Sequence, residues 1–63
     1  MKALIVLDYI EERVDVYPYD ETIWESPEDF TDDDGNYILH SNCNWMVVEN
    51  VNIKVHKNVQ IKI

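Results

Sequence analysis

Eight carboxylates stand within residues 20–34, at Asp20, Glu21, Glu25, Glu28, Asp29, Asp32, Asp33 and Asp34, and no base interrupts them. Carboxylates this dense can hold a hard cation, share a proton as an acid–base pair, or meet a basic surface. A calcium loop of the EF-hand kind needs acids at fixed offsets before a glycine and a glutamate six residues after it. Counted from Gly35, the first position falls on Phe30 and the last on Ser41, so the pattern fails. What remains is a loose, weak cation site at Asp32, Asp33 and Asp34. Softer ligands are few: His40, Cys43 and His56. His40 and Cys43 are three apart, which makes half of a site, whereas structural zinc takes four ligands. The plainer reading is a surface histidine, a small buried thiol and a turn histidine. We expect no bound metal.

Catalysis has little to work with. General acid–base chemistry needs a shaped, partly desolvated pocket, and a chain of 63 residues has little volume for one. Gly35 is the only glycine, so no glycine-rich phosphate loop exists. Nothing in the spacing pairs Cys43 with a histidine as a nucleophile. The chain is expected to be no enzyme and to carry no cofactor.

Recognition fits the acids better. Trp24, Phe30 and Tyr37 lie in or beside the acidic stretch, and aromatics ringed by polar groups match the composition of protein-binding surfaces. Phe30 and Trp45 are better read as plugs of a thin core. The expected partner-binding set is Glu21, Trp24, Glu25, Glu28, Asp29, Asp32, Asp33, Asp34 and Tyr37. A sharper version is nucleic-acid mimicry. Duplex DNA carries a phosphate about every 3.4 Å along each strand. Fifteen extended residues reach ~54 Å, so eight carboxylates come within about twofold of that spacing.

The charge map supports an acidic face. Residues 1–35 hold 12 acids and 2 bases, whereas residues 36–63 hold 1 acid and 3 bases. The net charge of −8 repels phosphate, so direct binding to nucleic acid or to an anionic membrane is not expected. One cysteine precludes an internal disulfide and favours a reducing cytoplasm. The apolar run from Ala3 to Leu7 is too short for a signal-peptide core or a membrane span, and Met1 reads as the start of a soluble protein.

These side chains need elements to hold them. The stretch KALIVLDY is short, apolar and rich in branched residues, which predicts a strand over 2–9 buried on both faces. RVDVYPY predicts a second strand over 13–19, joined as a hairpin through a loop without glycine. Pro18 cannot donate to a ladder, so that strand is either an edge there or finished. In SPED, Ser26 can cap a helix, Pro27 suits its first position and Asp29 stands where a capping-box acid would, so one helical turn is expected near residues 27–31. Gly35 predicts a tight turn, and YILH a short strand. From Trp45 the chain reads as strand to its end. Val51, Ile53 and Val55, then Val59, Ile61 and Ile63, alternate with polar residues around a turn at 56–58. That alternation predicts the buried face, with Ile5 and Leu7 opposing it.

The expected fold is mainly β: a single domain, residues 1–63, with an antiparallel or mixed sheet of about five strands that can curl into a barrel-like form. The expected function is that of a non-enzymatic acidic modulator or inhibitor that engages a basic surface of a larger protein. Size and charge suggest a viral or mobile-element origin. The alternative is a small assembly protein, a weak homodimer built through a C-terminal β-hairpin.

Overall fold

The computed structural model describes residues 1–61 of the chain. It is mainly β, with strands β1 (Lys2–Asp8), β2 (Arg13–Tyr19) and β3 (Cys43–Val48) and one 3₁₀ turn at Pro27–Asp29. The strands form one open antiparallel sheet in the order β2-β1-β3. Both expected strands of the first hairpin are present, and Pro18 lies within β2 at the edge of the sheet, the first of the two alternatives it allowed. The loop between them turns without glycine. Asp8 Oδ1 accepts the N–H groups of Ile10 and Glu11, and Glu12 takes the left-handed conformation at φ 52°. The expected turn at SPED is also present: Ser26 Oγ accepts the Glu28 N–H, and Pro27 opens the turn.

β2 and β3 both run antiparallel to β1, so they run parallel to each other with β1 between them. The connection through residues 20–42 must therefore cross the sheet, and in crossing it covers one face. On that face Leu4 stands between Tyr17 and Val47, and Val6 between Asp15 and Trp45. Leu4 and Val6 are buried together with Tyr19 and Phe30, while Tyr17, Trp24, Ile38, Leu39, Cys43 and Val47 pack around them. The core thus has two layers, a three-stranded sheet and an irregular crossover.

The other face of the same strands has no cover. Its rows, fixed by the strand register, are Ala3 with Pro18 and Val48, Ile5 with Val16 and Met46, and Leu7 with Val14 and Asn44. None of these nine residues is charged. Leu7, Val14, Val16 and Met46 are exposed. The expectation that β1 is buried on both faces is corrected: only its Leu4–Val6 face is buried.

The sheet has three strands and open edges among the described residues, not about five and not a barrel-like closure. The difference lies in two segments. YILH contributes only an isolated bridge, Thr31 with Tyr37. Residues 51–61 form no strand, and each of them is exposed. Val51, Ile53, Val55, Val59 and Ile61 are therefore not the core, and Ile5 and Leu7 do not oppose them. The physical reason is that alternation stabilises a strand only where a neighbour pairs with it, and no ladder reaches these residues. Lys57 does take a left-handed φ of 58°, so the chain bends at the expected turn, but no strands flank it. The expected placement of Ile63 lies outside the described residues.

A core this small makes single residues decisive. At ordinary per-residue values the whole domain is stable by about 3–9 kcal/mol. Leu4→Ala removes the one side chain with no exposed surface and should cost ~2–5 kcal/mol. Ile53→Ala, at a position 73% exposed, should change stability by less than about 0.5 kcal/mol. Urea titrations of the two variants check this: the midpoint of the first should fall by roughly half or more, and the second should superimpose on the parent.

Candidate acidic interface

The crossover is pinned by aromatic rings. Trp24 packs on Phe30 at 4.7 Å between centroids and on Tyr19 at 5.9 Å, and Tyr17 meets Phe30 at 5.3 Å. The Tyr19 hydroxyl donates to the Trp24 carbonyl at 3.0 Å, which ties the start of the crossover to β2. Ring pairs at these separations add stabilisation beyond the area they bury. Trp24, expected at the partner-binding surface, is thus partly buried and packed into the core. Tyr37, expected there as well, is 70% exposed.

The eight carboxylates divide into two groups. Asp20 and Asp32 are half-buried and hold the loop together. Asp20 Oδ1 accepts the Thr22 N–H at 2.9 Å and the Thr22 hydroxyl at 2.6 Å. The Asp20 carbonyl accepts the N–H groups of Ile23 and Trp24, which turns the chain toward the core. Asp32 Oδ1 accepts the N–H groups of Asp34 and Asn36, each at 2.9 Å. The Asp32 carbonyl accepts from Gly35, whose φ of 83° is left-handed, and the Asn36 carbonyl accepts from Asp32 itself. Asp32 to Asn36 is therefore a closed turn built around one carboxylate.

The other six, Glu21, Glu25, Glu28, Asp29, Asp33 and Asp34, are exposed. Among the described residues only Glu21 has an ionic partner, Lys2 Nζ at 3.1 Å. All six lie in the crossover that covers the Leu4–Val6 face of the sheet. The crossover that carries these acids packs on one face of the sheet, and the uncharged rows form the other.

Crowded carboxylates might be expected to raise one another's pKa values, but at Asp20 and Asp32 the shift runs downward. At Asp20 the hydrogen bond from the Thr22 hydroxyl is the main cause; at Asp32 it is the bond from the Asn36 N–H. Donors that point at a carboxylate favour its charged form. Asp8 is lowered in the same way, chiefly by the Glu11 N–H in the hairpin loop.

The remaining candidates serve the local structure. Cys43 Sγ contacts the His40 carbonyl at 3.0 Å and accepts the His40 N–H at 3.4 Å. His40 Nδ1 accepts the Asn42 N–H, and Nε2 stands 3.8 Å from Asp8 Oδ2. Their three-residue spacing thus describes the turn that leads into β3. Among the described residues no three His, Cys, Asp or Glu side chains come together as metal ligands would, and no helix is long and apolar enough to cross a membrane. Sequence reasoning missed the bare sheet face. The signal was present in Val14, Val16, Met46 and Val48, read as strand residues but not as a surface.

Comparison with protein-family models, curated proteins and solved structures finds no match for this chain.

The downward shifts set a pH dependence. A carboxylate whose folded pKa lies below its ordinary value of 3.8 stabilises the fold above that value and ceases to do so as pH falls through the lowered one. The melting temperature should therefore drop below about pH 4, because the unfolded chain binds the more protons there. In Asp32→Ala the melting temperature at pH 7 should be lower and the acid-side drop shallower than in the parent. Melts from pH 2 to 7 measure it.

Proposed function

We propose that this chain is a non-enzymatic binding protein whose acidic crossover engages a basic surface of a larger protein. The observation that carries the reading is the division among the carboxylates. Two are spent on shaping the loop, and six are left exposed on a layer that ring packing holds in place. A held array loses less conformational freedom on binding than a free acidic tail would. Like charges gathered on one side also steer a basic partner from a distance.

Nucleic-acid mimicry is the narrower form of the same reading. The molecule's longest extent is 38 Å, so the eight carboxylates occupy a shorter reach than an extended segment would. Six exposed carboxylates spread evenly over that extent stand about 8 Å apart, roughly twice the 3.4 Å between phosphates on one DNA strand. A groove that binds nucleic acid is the basic surface such an array would suit. A modulator or inhibitor of this kind, of viral or mobile-element origin and acting in the cytoplasm, accords with the size and charge of the chain.

The test uses a panel of purified DNA-binding proteins and fluorescent duplex DNA. The parent chain should displace DNA from at least one of them, with potency falling steeply as salt rises. A variant with Glu25, Glu28, Asp29, Asp33 and Asp34 changed to the amides should keep its melting temperature and lose displacement by at least tenfold. Equal potency of the two chains would show that the acids are only solvated loop residues.

A further inference from the structure

We infer that two copies of this chain associate through the bare outer face of the sheet, each laying residues 51–61 against the other. This surface lies opposite the acidic crossover, so the inference is independent of the acidic-interface reading.

Three observations converge on a second copy. The first is charge. Residues 1–48 carry 12 acids and 2 bases, so two copies repel each other through most of their surface. The face formed by Ile5, Leu7, Val14, Val16, Met46 and Val48 carries no charge and is the surface through which two such bodies can approach. A basic partner would be drawn to the opposite side.

The second is the segment that follows β3. Residues 49–63 hold 1 acid and 3 bases, opposite in sign to the body they follow. Val51, Ile53 and Val55 alternate with Asn52, Lys54 and His56, the pattern of a strand with one apolar side, yet no strand forms within the single chain. The sheet also lacks cover at its edges: among the described residues, backbone hydrogen bonds outside the strands and helical turn do not reach β2 or β3. A second copy supplies what the segment lacks. Its apolar side meets the partner's bare face, and Lys54 and Lys57 are left at the rim of that face.

The third is area. Strands about 4.8 Å apart, with about 3.4 Å per residue, make a three-stranded face of roughly 14 by 24 Å, near 340 Å². That is under half of the ~800 Å² per partner in a stable interface. Face against face is therefore too little by itself. An extended segment of eleven residues reaches up to ~37 Å, so one from each copy adds its apolar side to the area buried.

Analytical ultracentrifugation of the full chain at pH 7 tests this. The mass should rise from 7.5 kDa toward twice that value over micromolar to millimolar concentration. Association should tighten as salt rises, because salt screens the repulsion of like-charged bodies. Val16→Lys and Ile53→Lys alter exposed positions and lower the net negative charge, so on charge grounds alone both should favour dimers. We expect each to weaken the dimer at least tenfold while the circular dichroism and melting of the monomer stay unchanged. In an equal mixture of isotope-labelled and unlabelled parent, contacts between Ile53 or Val55 of one copy and Ile5 or Val16 of the other should appear. A chain that stays monomeric at millimolar concentration in high salt overturns the inference. So does a dimer indifferent to both substitutions, or a mixture in which the segment contacts the outer face of its own copy only.

Discussion

The packing of Trp24 and Phe30 onto Tyr19, Tyr17 and Leu4 is the contact on which the rest of the fold depends. Strand order makes a crossover from β2 to β3 obligatory, and these rings are what turn it from a loop into a layer. Without them the sheet would have no covered face, and three strands alone are at the lower limit of independent stability. The Tyr19 hydroxyl bond to the Trp24 carbonyl and the turn around Asp20 bring Trp24 into position. The 3₁₀ turn at Pro27–Asp29 then delivers Phe30 to the core within a few residues.

One crossover covers one face, and both functional features follow from that. On the covered side, the loop turns its aromatics inward and its carboxylates outward, which concentrates charge on the outer surface of the crossover. On the bare side, the same strands present alternate residues, which are uncharged. The acidic surface and the apolar surface are thus two consequences of one topology. Small chains bury a limited fraction of their surface, and this one leaves a whole sheet face uncovered.

Much of the local structure was legible in the sequence because its causes are local. The first hairpin followed from alternating branched residues, the edge position of β2 from Pro18, the 3₁₀ turn from Ser26 and Pro27, and the turn at Gly35 from its backbone freedom. The errors concern pairing, which is not local. Residues 51–61 have the more regular alternation but no partner strand, whereas β3 begins in the polar stretch SNCN, where Cys43 and Asn44 pair with Asp8 and Leu7. The strand that pairs is the one the crossover delivers to the free side of β1. Within the acidic stretch, the sequence located the carboxylates but could not separate the two that shape the loop from the six that face solvent. That distinction depends on which backbone N–H groups each turn brings to Asp20 and Asp32. Trp24 looked like a surface anchor because polar residues flank it, and it is drawn inward by rings distant in sequence.

One-sided burial is the central claim, and methyl NMR with a soluble paramagnetic agent measures it most directly. At a concentration low enough to keep the chain monomeric, the methyls of Leu4 and Val6 should be shielded from the agent. Those of Ile5, Leu7, Val14 and Val16, on the same two strands, should relax strongly, as should those of Ile53. Equal shielding of both sets, or shielding of Ile53 comparable to that of Leu4, would contradict the account.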